Sequence, residues 1–321
     1  MAVLTGSGEI VLLTDEQGTW AEAGRIAAAT SASWPVCDIA PGIDGFWFVL
    51  VSDDTRGVVI HHTDGTTDQE LEIPAYREFR WDDEQGCLET SVGGDLSAVL
   101  QVHQRGPVLC LHSGEEWIHH EIPSTTWYAE MLSYVRDSFD RHHILYSQIS
   151  TTSSYYDCLT AGSWTRSVPV ENGPEGSHAG APARLSLSAS NAVRVIGFDY
   201  SRNVLVMWED VNEIMGWEAE GLPIAEDILL NRYLAVTTAP DGTPYAVVAR
   251  FNGASRYDLL WLSRRSASWN VHIVASGLYR WSHFNPILLA VMAAVGTEPR
   301  LVFAVLDPAG EKAILWEARP R

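Results

Sequence analysis

Alternation of apolar and polar positions gives this chain its clearest signal. In Tyr257–Ala275, YDLLWLSRRSASWNVHIVA, an apolar run meets a polar turn and then a second alternating run that opens on Trp269. This pattern predicts a β-hairpin. It recurs as EIVLLTDEQGTWAEAGRI from Glu9, PVLCLHSGEEWIHHEIP from Pro107, YYDCLTAGSWTRSVPV from Tyr155 and VLVMWEDVNEIMGWEAEGLP from Val204. A copy without tryptophan, GVVIHHTDGTTDQELEIP, starts at Gly57. Trp117, Trp164, Trp217 and Trp269 fall 47, 53 and 52 residues apart, and Trp20 lies 97 before Trp117, two such periods.

Between the hairpins lie two further strands per unit, clearest in YLAVTTAPDGTPYAVVARF from Tyr233, where PDG marks a tight turn. A period near fifty with four short strands is the signature of a β-propeller blade. The segment LAVMAAVGTEPRLVFAVLDPAGEKAILWEA from Leu289 follows the same plan but stops before a Trp-led fourth strand, and the N-terminus starts on the short strand AVLTG. The expectation is an all-β protein, one propeller domain over residues 1–321 built of four-stranded antiparallel blades. Seven blades is the plain count, and six applies if the two chain ends share one blade, which would hide sheet edges. Only Ala21–Thr30 and Ile224–Arg232 have helix-favouring composition, and both are short.

Charge narrows the classes of partner. A net charge of -20 lacks the basic face that a nucleic-acid backbone or an anionic membrane surface requires, so neither partner is expected. The four cysteines, Cys37, Cys87, Cys110 and Cys158, are too far apart for a paired metal or redox motif and read as buried free thiols. The start, MAVLTGSGEIVLLTD, has neither a basic segment nor an apolar core of signal-peptide length, and no apolar run is long enough for a membrane helix. A cytoplasmic protein, monomeric or weakly self-associating, is the expectation.

The strand–turn–Trp hairpin resembles that of the sialidase-like propellers, whose turn carries an Asp-box, and more loosely that of the fungal fucose-binding lectins. The nearest match to the box is Thr14-Asp15-Glu16-Gln17-Gly18-Thr19-Trp20, with the glycine displaced by one. The other copies keep a small residue and the tryptophan: Gly114 with Trp117, Gly162 with Trp164, Gly216 with Trp217, Ser266 with Trp269. In the sialidase-like family the box stabilises the hairpin and takes no part in chemistry. The resemblance therefore implies architecture, and these tryptophans are expected to pack between blades.

Propeller ligand sites form where the connectors from one blade's outer strand to the next blade's inner strand converge on the axis. Here those connectors are 27–38, 74–87, 123–131, 171–184, 222–233 and 276–287. They carry arginines beside large residues, Arg80-Trp81, Arg184-Leu185, Arg232-Tyr233 and Arg280-Trp281. Guanidinium groups on one rim suit a carboxylate or another planar anion, as in the arginine triad of sialidases, and would serve equally as ion pairs between blades. Trp34, Trp81, Trp127, Tyr128, Tyr233, Tyr279 and Trp281 are the aromatics available to line an axial pocket. His178 joins this binding set.

For acid–base chemistry the candidates are His283, Glu130, Asp82 and Tyr128, with His283 foremost because imidazole titrates near working pH. The pairs His61-His62, His119-His120 and His142-His143 read as half-exposed strand positions rather than metal sites, since adjacent residues on a strand face opposite ways. No metal and no cofactor are expected, and no nucleophile elbow, metalloprotease motif or P-loop is present.

Three functions fit this pattern. One is a cofactor-independent enzyme holding a small molecule in an axial pocket for a lyase, cyclase or isomerase step. Another is a carbohydrate-binding lectin, or a sialidase-like glycoside hydrolase with Tyr128 and Glu130 in the nucleophile role. The last is a protein-binding scaffold. A lectin should repeat one Arg/Glu/Trp set between blades; the enzyme should have a single ionisable cluster.

Overall fold

The computed structural model describes residues 2–4, 9–16, 19–27, 37–43, 45–53, 57–64, 68–73, 86–102, 106–114, 116–123, 129–148, 151–169, 183–199, 204–210, 217–225, 234–239, 241–251, 256–265, 268–279, 289–292, 299–306 and 313–318. Of Cys37, Glu130 and Tyr279 it describes the backbone alone.

Every regular element among these residues is a β-strand. β1 (Ala2–Leu4), β2 (Glu9–Glu16) and β3 (Thr19–Ala27) form a three-stranded sheet. Four-stranded sheets follow: β4 (Cys37–Pro41), β5 (Trp47–Asp53), β6 (Gly57–Thr63) and β7 (Asp68–Glu72), then β8 (Gly86–Thr90), β9 (Leu96–Val102), β10 (Gly106–Ser113) and β11 (Glu116–Glu121). Next come β12 (Ala129–Arg136), β13 (His142–Gln148), β14 (Thr151–Thr160) and β15 (Ser163–Pro169), and β16 (Ala183–Leu187), β17 (Val193–Asp199), β18 (Val204–Asp210) and β19 (Trp217–Ala225). The last full sheet is β20 (Leu234–Thr238), β21 (Pro244–Phe251), β22 (Arg256–Arg265) and β23 (Ser268–Tyr279), and β24 (Leu289–Met292), β25 (Arg300–Leu306) and β26 (Ala313–Ala318) close the series with three strands.

Each sheet is a meander whose hydrogen-bonding order is its chain order. Ala21–Ala27, helix-favouring by composition, is strand: pairing with β2 places Ile26 in the core and outweighs alanine's local preference. The described residues divide into two compact units, residues 1–142 with 157–166, and residues 143–156 with 167–321. Within the first unit the opening strand of each sheet lies against the next, β1 by β4, β4 by β8 and β8 by β12; within the second, β16 lies by β20 and β20 by β24.

Middle strands are apolar almost throughout because neighbouring sheets cover both faces. β9, LSAVLQV, and β10, GPVLCLHS, are buried along most of their length, whereas β11, EWIHHE, alternates between exposed and half-buried. One core joins the sheets of β4–β7 and β8–β11 through Leu50, Val58, Ile60, Leu88, Ala98 and Leu100, with Trp117 packed against it. A second joins β16–β19 and β20–β23 through Ile196, Met207, Leu222, Val248 and Leu260, with Trp269 against it. Trp117 and Trp269 thus pack between sheets, as their periodicity implied.

A repeat that the sequence conceals ties first strand to second. The turns 42–46, 91–95, 137–141, 188–192 and 239–243 each have a left-handed residue in fourth place: Gly45, Gly94, Asp140, Asn191 and Gly242, with φ between 61° and 91°. In four of the five, the amide of that residue donates to the carbonyl of the turn's first residue, as Gly242 N does to Ala239 O at 2.8 Å. Glycine, asparagine and aspartate are the residues that tolerate this conformation, which is why one geometry is written in three letters.

Candidate functional site

Most of the connector residues put forward above lie outside the described residues: His283, Asp82, Tyr128, Trp34, Arg80, Trp81, Trp127, His178, Arg232, Tyr233, Arg280 and Trp281. Glu130 and Tyr279 are placed by backbone, at the start of β12 and the end of β23. Arg184 belongs to β16 itself, where its guanidinium donates to the Ala183 carbonyl at 2.9 Å. Two polar clusters stand out among the described residues, one in each unit.

The first is built on the opening strands β4, β8 and β12. Asp38 on β4 accepts the amide of Ile39 at 2.9 Å and, across to β8, that of Leu88 at 2.7 Å. The Thr90 hydroxyl donates to the Pro41 carbonyl at 2.7 Å and locks the same two strands. Burial pushes the Asp38 carboxyl up to about 6, against the pull of its two amide donors. Glu89, next to Leu88, is pushed up to about 8 by burial first and by the Asp38 charge second, with Arg136 opposing.

Around this pair runs a hydrogen-bond chain. The Tyr134 hydroxyl, held protonated by burial, donates to Ser97 Oγ at 2.7 Å and faces His142 Nδ1 at 2.8 Å. Ser97 donates in turn to the Glu89 carbonyl at 3.1 Å. Arg136 anchors the end of β12 through the Asp95 carbonyl at 2.6 Å and the Asp140 carboxylate. At neutral pH this environment favours a protonated Glu89 beside an ionised Asp38, an acid and a base set apart by surroundings.

The second cluster, in the other unit, surrounds a cleft of about 220 Å3 lined by Arg194, Asp241, Gly242, Thr243, Pro244 and Arg264. Arg194 on β17 pairs with Glu209, its cross-strand neighbour on β18, at 3.0 Å, and donates to the Gly242 carbonyl in the next sheet at 2.8 Å. Arg264 near the end of β22 reaches Glu220 at 2.9 Å and Glu209 at 4.0 Å. Asp241 caps its own turn by accepting the Thr243 amide at 2.9 Å. Two guanidinium forks, one carboxylate and a hydroxyl thus border one open recess, smaller than the roughly 300–1,000 Å3 of drug-sized ligand sites.

Sequence reasoning missed both clusters. Asp38 and Glu89 sit in short strands with few neighbouring ionisable residues, and their pairing depends on contact across 50 residues. The cleft did leave a trace, the PDGT turn of residues 240–243. The histidine pairs are partly corrected: His61, His142 and His143 are buried rather than half-exposed, because each sits on an inner strand of its sheet and is bonded to a side chain, Asp68, Tyr134 and Tyr156 respectively. Cys110 and Cys158, both buried, and half-buried Cys87 are in no disulfide, as expected of the first two.

No family model and no curated protein matches the chain. Solved structures do. A variant of the Aleuria aurantia lectin in complex with Fucα1-6GlcNAc aligns at TM-score 0.57 and 13% identity over 88% of this chain and 93% of that one. That lectin is described as a six-bladed β-propeller with a novel fucose recognition mode. The fold is a β-propeller.

A polysaccharide lyase of a new family, an ulvan lyase, aligns at TM-score 0.58 and 9% identity over 91% of this chain and 83% of that one. A putative 6-phosphogluconolactonase from Bacteroides uniformis aligns at TM-score 0.56 and 10% identity over 97% and 92%. Six blades is the count given above for chain ends that share one blade; the hydrogen-bonded sheets among the described residues number seven, five of four strands and two of three.

Proposed function

We propose that the chain is a carbohydrate-binding propeller whose sugar site is the Arg194–Arg264–Asp241 cleft. The observation that carries this reading is the cross-strand pair Arg194–Glu209, bridged to the next sheet at Gly242 and backed by Arg264. Guanidinium donors and carboxylate acceptors held in fixed geometry match the vicinal hydroxyls of a sugar ring, and the recess has room for about one such ring. The neighbours' ligands add support, since lectins of this fold bind fucosides and a lyase of this fold acts on a polysaccharide.

Positions at or near this register in other sheets carry different chemistry: Phe48 faces His62, Ser97 faces Leu111 and Tyr245 faces Ser263. β25 and β26 carry a looser Arg300–Glu317 pair, 3.8 Å apart, so the tighter Arg194–Glu209 recess is taken as the site rather than one member of a full ring among the described residues. The test is calorimetric titration with methyl α-L-fucoside, galactose and glucuronic acid, repeated on Arg194→Met and Glu209→Gln. Saturable binding of one sugar that weakens at least tenfold in both variants supports the site. Binding of none, or binding that both variants retain, removes it.

A second reading is favoured by Asp38 and Glu89. A carboxyl near 6 beside one near 8 can take a proton from a substrate and deliver one to a leaving group, the requirement of an elimination. This reading keeps an enzyme with lyase-type chemistry and moves its acid–base pair to the opening strands β4 and β8. Its rate would follow a bell between about pH 6 and 8, rising as Asp38 ionises and falling as Glu89 does. Release of an unsaturated product from a uronate polysaccharide, lost in Asp38→Asn, is the assay. No product at any pH, or a flat profile, counts against it.

A further inference from the structure

We propose that the hairpin β6–β7 holds a divalent transition-metal ion of the zinc class on His61, Asp68 and Glu70. One ligand atom from each of these residues lies within 4.8 Å of the others. The register explains why: His61 stands directly opposite Glu70, and Asp68 stands opposite Thr63, two positions along on the same face of each strand. His61 is 3% exposed, so its ring is fixed, and its Nδ1 faces Asp68 Oδ2 at 2.8 Å.

Strand alternation, which forbids His61 and His62 from sharing an ion, is what assembles this set instead. His62 turns to the opposite face and stacks on Phe48 at 4.4 Å, while His61 turns toward the carboxylates of β7. Asp68 and Glu70 are both exposed, so an ion can enter from solvent and keep water in its open positions. Zinc bonds to imidazole and carboxylate run about 2.0–2.2 Å, which sets tetrahedral ligand atoms about 3.4 Å apart, so Asp68 must swing slightly away from His61 and Glu70 adjust to meet the ion, motions open to the two exposed side chains.

The donor set decides the ion. An imidazole nitrogen with two carboxylates suits Zn2+ over Mg2+ or Ca2+, which take oxygen ligands almost exclusively. The two carboxylates also neutralise the ion's charge, and a chain of net charge -20 gathers cations at its surface.

The test is titration of the chelator-treated chain with ZnCl2, with MgCl2 and CaCl2 as comparators. The result expected is one zinc per chain, no saturable magnesium or calcium binding at this site, and at least tenfold weaker zinc binding in Glu70→Gln and in Asp68→Asn. Both substitutions are on the surface and should leave the circular dichroism spectrum unchanged. His61→Asn should abolish binding, and CoCl2 should give a visible absorption band that this variant loses. Sugar titration of the same variants keeps this site separate from the Arg194 cleft. Zinc affinity that persists in Glu70→Gln and Asp68→Asn, or zinc binding no tighter than calcium, overturns the proposal.

Discussion

The two polar clusters solve opposite problems with similar residues. In the unit of β16–β26 the carboxylates of Glu209 and Glu220 are answered by the guanidinium groups of Arg194 and Arg264. In the unit that holds β1–β12 the Asp38 carboxylate is answered by two backbone amides, and burial outweighs them. Arginines dock on a turn carbonyl in both places, Arg136 on Asp95 and Arg194 on Gly242, so the scaffold step is shared. The difference lies in what the arginine does next. Arg194 turns to a carboxylate on its own sheet at a recess, whereas Arg136 turns to Asp140 in the turn that follows β12, and its charge only partly offsets the raised Glu89 carboxyl. A pre-paired recess suits binding; a carboxyl pair without a dedicated cation suits proton transfer.

Breaking the pairing should have the largest effect. Arg194→Ala removes the bond to Glu209 and the bond to Gly242, and Arg194 is 8% exposed. Chemical denaturation should report a loss of about 2 kcal/mol, with sugar affinity lost as well. An unchanged midpoint would mean that the recess is held by its apolar walls alone.

The other cluster should be softer. Tyr134→Phe leaves Ser97 its bond to the Glu89 carbonyl but deprives His142 Nδ1 of its oxygen partner. The expected cost is about 1 kcal/mol in the same measurement. A cost above that of Arg194→Ala would reverse the ranking of the two regions.

Titration sharpens the contrast further. Folded-state values above the unfolded ones mean that the folded chain holds these protons more tightly. Stability from Glu89 is therefore full below its unfolded value of 4.5 and declines as pH rises through about 8, and for Asp38 the window runs from 3.8 to about 6. Glu89→Gln should flatten the melting temperature between pH 5 and 8 and be the more stable protein at pH 8, by about 1 kcal/mol once the side chain's partial exposure is allowed for. Identical pH curves for the two proteins would show that Glu89 ionises freely.

The smallest effect belongs to Arg25, whose pairs with Glu9 and Glu22 are exposed on both partners. Arg25→Ala should leave the melting temperature where it is, and a clear drop would mean that exposed pairs matter more in this acidic chain than in most.

How much of this was legible depends on the range of the interaction. The hairpins were, because Asp210 opposite Trp217 and Arg264 opposite Trp269 lie close together in the sequence and their strands are marked by period-two alternation. Of the five left-handed turns the PDG one was, but their recurrence was not, since Gly94, Asp140 and Asn191 share a backbone conformation and no letter. Asp38 closes the connector 27–38 and Glu89 lies just past the connector 74–87, and nothing in either stretch couples them until β4 and β8 are laid side by side. The histidine pairs show both sides at once. Alternation read from sequence set His61 and His62 on opposite faces, but only the register with β7 reveals that His61 meets Asp68 and Glu70.

The central claim is that one recess, at Arg194, binds carbohydrate. Calorimetric titration of the full chain with its best monosaccharide ligand, alongside Glu209→Gln, tests it most directly. The account predicts one site per chain and at least a tenfold loss of affinity in the variant. Several equivalent sites per chain, or an affinity that Glu209→Gln leaves intact, would contradict it.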